Sequence, residues 1–211
     1  MPSGYAHYRF GTQVLSLMPA DIRGPIQRHR TLFDVGLHGL LAHYCLDSQC
    51  HPFVYAMTDD TELDHSELET EFDRFLLTLD GVKRPREANI SRSLRLNTTD
   101  AAVVAGFYPE ITARDVRSCF RSMALSQQLL TLPTVAGYAA VSTFTKLAGG
   151  NTSGKAMTLG PNPSCAHLDE KLLELYDQAL EKFPRLLEQL NRHMAYGASF
   201  GNDFKVNFDR G

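Results

Sequence analysis

Asp169-Glu170-Lys171-Leu172-Leu173-Glu174-Leu175-Tyr176-Asp177-Gln178-Ala179-Leu180, continuing through Phe183, Leu186 and Leu187 to Leu190, decides the fold class. Its apolar residues return every three or four positions, the period of an α-helix with one buried face. A half-buried strand would alternate instead. Pro184 lies inside the pattern and predicts a bend or interruption, because proline lacks the N–H that the helix ladder needs.

Working outward, the same period recurs. Leu68, Phe72, Phe75, Leu76 and Leu79 form a second stripe, closed by Gly81 as a helix C-terminal residue. Phe10 to Leu17 carries Val14, Leu15 and Leu17 on one broad side with Met18, before Pro19. Asp21 predicts the cap of a helix running toward His29. Leu32 to His51 is broadly apolar and reads as one buried helix, or as two broken around Gly36 and Gly39, stopping before Pro52. Val82 to Arg95 is polar and basic, a loop with room for one short turn. Thr99 or Asp100 caps Ala101 to Phe107, Thr112 caps Ala113 to about Leu130, and Pro133 opens a helix toward Lys146. Residues 148–165, rich in Gly, Asn, Ser and Pro, read as a surface loop. In the tail, Phe200, Phe204, Val206 and Phe208 suit an extended cover. The expectation is an all-α protein whose residues 1–211 make one domain.

Composition narrows the function classes. The 211 residues hold 21 Lys+Arg against 24 Asp+Glu, a net charge of −3 that disfavours a nucleic-acid partner. Lys83-Arg84-Pro85-Arg86 is the densest basic run and reads as a solvated loop. No apolar run reaches the roughly 20 residues of a membrane span. The N-terminus lacks the basic and apolar parts of a secretory signal, so a cytoplasmic protein is expected. Cys45, Cys50, Cys119 and Cys165 have no metal-type or disulfide-scaffold spacing.

The sharpest chemistry lies in His43-Tyr44-Cys45-Leu46-Asp47-Ser48-Gln49-Cys50-His51-Pro52. On a helix, His43, Asp47 and His51 share one broad face. At ~1.5 Å per residue the two histidines lie about 12 Å apart along the axis, too far to share an ion, with Asp47 between them. His65 and Glu69, also four apart, permit an imidazole and a carboxylate to meet on one zinc, and His51 would make a third ligand. His7 is a candidate partner for His43 and Asp47. The competing reading is ordinary His–carboxylate hydrogen bonding on semi-buried helices. Two other signals are weaker. Gly149 to Ala156 has the spacing of a phosphate-binding loop but puts Ala156 where a magnesium-binding Ser or Thr belongs. Cys45 and Cys50 lie near His43 and His51 without an oxyanion hole that would make either a nucleophile.

These segments resemble the bacterial zinc-dependent phospholipase C-like family, related more distantly to secreted phosphatidylcholine-preferring phospholipases C and the S1/P1 zinc nucleases. The resemblance runs through Tyr5 to Gly11, Leu32 to Gly39, His43 to Phe53 and His65 to Arg74, then more weakly through Phe107-Tyr108-Pro109 and Asn207-Phe208. It implies a helical fold holding one to three zinc ions and a phosphodiesterase in which metal-activated water attacks phosphorus. On the matching positions, His51, His65 and Glu69 would hold one zinc. His43 and Asp47 would contribute to a second, and Asp47 and His7 to a third. The implied substrate is phospholipid-like or a small phosphodiester. Asp73 and Arg74 would form an ion pair or support the site.

The chain departs from that family between Gly39 and Leu40. Relatives carry a Gly-Pro-Asp segment and a further histidine ligand there, and this sequence runs directly into His43. No residue is assigned as catalytic. His29, Asp34 and His38 are the nearby substitutes. The alternatives to an enzyme are a degenerate zinc-binding structural protein and a helical interaction domain without turnover.

Overall fold

The computed structural model describes residues 4–21, 23, 33–59, 61–131, 139–140, 143 and 154–207. The protein is all-α, and the described residues contain no strand. Its main helices are α1 (Gly4–Leu17), α2 (Phe33–Thr58), α3 (His65–Leu79), α4 (Thr98–Ala105), α5 (Ala113–Leu130) and α6 (Asp169–Tyr196). Short 3-10 turns span Pro85–Glu87, Ser91–Leu94, Ala166–Leu168 and Asn202–Phe204. Two compact units emerge: Met1–Ala6 with Glu62–Asp169, and His7–Thr61 with Glu170–Gly211.

The first unit is organised by α3. Asp64 caps it, accepting from the Ser66 and Glu67 backbone N–H groups at 2.9 and 3.3 Å. Leu68, Phe72, Leu76 and Leu77 are buried, whereas Leu79 of the expected stripe is exposed. Gly81 ends the helix as expected, at φ +80. Its N–H donates to the Thr78 carbonyl at 3.0 Å and the Val82 N–H to the Leu77 carbonyl at 2.9 Å, the paired closure of a Schellman motif. A Cβ on Gly81 would touch nothing within 4 Å, so the only cost of Gly81→Ala is its left-handed backbone. That cost is about 1–2 kcal/mol, to be read as a lowered denaturation midpoint at unchanged m-value.

Thr112 caps α5 as expected, in a capping box with Asp115. Both the Thr112 hydroxyl and its backbone N–H donate to Asp115, holding that carboxyl below its ordinary range. The cap of α4 differs from expectation: Asn97, not Thr99 or Asp100, accepts from the Asp100 N–H at 2.8 Å, and the helix starts at Thr98. Helix α4 packs on α5, and α5 on the turn Ser91–Leu94. Two turns, not one, interrupt the 82–95 stretch. Gly154 lies against the start of α3 at φ +71, where a Cβ would come within 2.9 Å of the Glu67 backbone nitrogen.

The second unit contains α1 from His7, α2, α6 and the C-terminal tail. Phe10 and Val14 of α1, Leu41, Cys45, Leu46 and Val54 of α2, and Leu172, Tyr176, Phe183, Leu186 and Leu190 of α6 are buried. The Phe10 ring meets Tyr176 and Phe183 edge-on, at 5.5 and 6.4 Å between centroids. The buried Tyr176 hydroxyl donates to Gln13.

Neither internal proline stops its helix, which corrects the expected stop before Pro52 and the expected interruption at Pro184. Pro184 sits on the exposed side of α6, between buried Phe183 and Leu186, so the unpaired backbone position faces solvent. Pro52 lies within α2 and withholds an N–H from the Ser48 carbonyl; the Gln49 side-chain amide donates to that oxygen at 3.5 Å. Burial on either side, at Cys50 and Val54, favours continuing the helix. Nor does α2 break at Gly36 or Gly39.

The tail contains the turn Asn202–Phe204 instead of running fully extended. Phe204 stacks on Tyr44 at 5.6 Å, and Phe200 on His193 at 4.2 Å. The Tyr44 hydroxyl donates to the Asp203 and Val206 carbonyls. Most of the expected helix toward His29 and of the one following Pro133, the run Gly149 to Ser153, and Phe208 lie outside the described residues.

Candidate metal centre

Helix α2 presents His43, Asp47 and His51 at successive turns, and α1 supplies His7. Asp47 is buried, 4% exposed, while the histidines are half-buried. Its Oδ1 lies 3.2 Å from His7 Nε2 and its Oδ2 lies 3.1 Å from His43 Nε2. His51 Nε2 stands 4.0 Å from Oδ1, and its ring meets Tyr55 edge-on at 5.7 Å. His7, His43 and Asp47 offer ligand atoms all within 4.8 Å of one another.

The donor set suits a metal ion. Ligand atoms about 2.0–2.2 Å from a tetrahedral ion lie roughly 3.3–3.6 Å from each other, close to the separations between Asp47 and its two imidazoles. His7 Nδ1 and His43 Nδ1 face each other at 3.3 Å, with rings 4.6 Å apart at 39°, a hydrogen bond in which the tautomers decide which nitrogen donates.

In the first unit, His65 Nε2 lies 3.1 Å from Glu69 Oε1 across one turn of α3. Glu69 is 9% exposed. The expected His65–Glu69 pair therefore meets.

Other candidates are placed elsewhere. His38 is buried on α2 but is not one of the His7, His43 and Asp47 group. His29 and the Asp34 side chain lie outside the described residues. His167 is exposed, and His193 faces the Ala198 carbonyl at 2.8 Å. Cys45 donates to the Ala179 carbonyl at 3.2 Å, and burial pushes its thiol up to about 12, unsuited to nucleophilic work.

Asp73 and Arg74 do not pair with each other as expected. Buried Asp73 accepts from the Tyr5 and Ala6 backbone N–H groups at 2.9 and 2.7 Å, satisfying the first turn of α1. Arg74 donates through Nε to Glu71 Oε1 and Oε2 at 2.9 and 2.8 Å, and its Nη2 lies 3.9 Å from Asp169. The Asp73 contacts and the approach of Arg74 to Asp169 join residues 67 or more positions apart, and local spacing carries no trace of them.

No family model, curated protein or solved structure matches the chain. No described helix is long and apolar enough to cross a membrane.

Proposed function

We propose that this chain is a zinc-dependent phosphodiester hydrolase of the phospholipase C-like kind, acting in the cytoplasm on a phospholipid-like or small phosphodiester substrate. The observation that carries the reading is Asp47, a buried carboxylate with each oxygen turned to a different imidazole. In this reading Asp47 bridges, sharing one ion with His43 and another with His7. The proposal assigns a further ion to His51, His65 and Glu69, the set that the family resemblance implies.

Zinc bound by such residues lowers the pKa of coordinated water and stabilises charge on a phosphoryl oxygen. The chain's own part is positional. The α2 backbone fixes the spacing of His43, Asp47 and His51, while Phe204 and the tail carbonyls clamp Tyr44 beside His43. Burial of Asp47 keeps competing water away and strengthens its hold on a cation. Four cysteines without a disulfide suit a cytoplasmic setting.

One observation favours a second reading, a zinc-binding structural protein without turnover. Helix α2 runs unbroken through Gly39 and Leu40, and Leu40 is exposed where the resembled enzymes carry additional site residues. Metal analysis after chelator-free purification, paired with hydrolysis of a soluble aryl phosphodiester and of phosphatidylcholine, separates the two. Stoichiometric zinc and turnover abolished in His65→Ala and Glu69→Gln are expected. Zinc whose removal lowers stability, without turnover, selects the structural reading. Protein that stays zinc-free in zinc-replete medium overturns both.

A further inference from the structure

Charge is unevenly distributed along the chain. Residues 82–130 hold eight Lys and Arg against four Asp and Glu, a local +4 in a chain of net −3. The local acids are largely engaged. Glu87 pairs with Arg84 at 3.2 Å, Asp115 is held in the Thr112 capping box, and Asp100 is buried.

Helix α5 displays much of the remaining positive charge. Of its eighteen residues, all described, only Val116 is buried. At 100° per residue, Arg114, Arg117, Arg121, Leu125 and Leu129 fall within an arc of about 120°, roughly opposite Val116. All five are exposed, Leu125 by 56% and Leu129 by 39%. The turn that leads into α5 exposes Tyr108 by 54% and Ile111 by 43%, beside Phe107 and Pro109.

We propose that the α4–α5 hairpin docks this protein on an anionic phospholipid bilayer, with Arg114, Arg117 and Arg121 meeting lipid phosphates while Tyr108, Ile111, Leu125 and Leu129 enter the interface. Charge complementarity selects an anionic surface, and the apolar members select lipid. Arginine stems lie along apolar matter while their guanidinium groups reach phosphate, and aromatic rings settle at headgroup depth. Leu125, Leu129 and Ile111 would have no base to stack on in a nucleic-acid complex, which is recognised through basic and aromatic groups. Basic residues near anionic lipid gain attraction that salt screens. This docking surface rests on charge and exposure in the first unit, so it stands or falls separately from the hydrolase reading.

The test is co-sedimentation of the full chain with unilamellar vesicles of phosphatidylcholine alone or with one-third phosphatidylglycerol. Binding to the anionic vesicles is expected to exceed binding to the neutral ones and to weaken with salt. The Arg114→Gln/Arg117→Gln/Arg121→Gln variant should lose roughly 100-fold in partitioning. Tyr108→Ser/Ile111→Ser should lose about tenfold and leave the salt dependence in place. Circular dichroism checks that both variants keep the wild-type helix content. Equal binding to both vesicle types, unchanged binding of the arginine variant, or tighter binding to a single-stranded RNA oligomer through the same arginines would overturn the proposal.

Discussion

Asp47→Ala is expected to release zinc from both neighbouring imidazole positions at once and to reduce phosphodiester turnover by about 10³-fold or more. The size follows from the chemistry assigned to the metal: several kcal/mol of transition-state stabilisation, at 1.36 kcal/mol per tenfold in rate. The selectivity follows from geometry. Oδ1 serves His7 and Oδ2 serves His43, so one side chain connects both positions. His43→Ala removes only the Oδ2 partner and should leave more zinc behind than Asp47→Ala does. Elemental analysis of the purified variants measures that order directly. Full retention of zinc and of rate by the Asp47→Ala protein would show that the carboxylate merely hydrogen-bonds two histidines.

The contrast between the two prolines and the two well-placed caps explains what could be read along the chain. Thr112 and Gly81 act within a few residues of themselves, through an N3 backbone N–H and two C-terminal carbonyls, so their roles survive in any tertiary setting. Pro52 and Pro184 are decided by what lies around them: apolar burial on either side of Pro52, and an exposed helix face under Pro184. For α4, four consecutive cap-forming residues, Asn97 to Asp100, compete locally, and Asn97 makes the bond. The candidate site divides in the same way. His43 with Asp47, and His65 with Glu69, are one-turn neighbours that the four-residue spacing forces together. The meeting of His7 with Asp47 depends on α1 packing; the sequence offers His7 as a candidate partner, but no spacing brings the two together. The Arg114, Arg117 and Arg121 stripe had a readable helical spacing, but total charge concealed it. Asp73 under α1 had no local signal at all, since its partners lie 67 and 68 positions away.

Arg74→Met should be strongly destabilising in the first unit, by about 3–5 kcal/mol at neutral pH, because it removes the guanidinium that faces two buried carboxylates. Glu71 and Asp169 are 2% and 3% exposed. Even with Arg74 present, burial, followed by the nearby Glu71 charge, pushes the Asp169 carboxyl up to about 7. The sign of the pH effect follows from that direction. An acid whose folded pKa exceeds its unfolded value contributes its full stability below the unfolded value, near 4, and loses it as pH rises toward the folded one. Removing Arg74 raises the folded value further and leaves the unfolded one unchanged. The penalty of Arg74→Met should therefore be nearly constant well below pH 7, where Asp169 is neutral in both folded proteins, and grow by at most about 1.4 kcal/mol per pH unit as pH rises through 7 and above. Adding Asp169→Asn should recover part of the loss at pH 7 and little at pH 4. Denaturant melts of wild type and both variants from about pH 4 to about pH 9 measure the effect, and a penalty that stays constant as pH rises through 7 and above would mean that Arg74 contributes packing rather than charge.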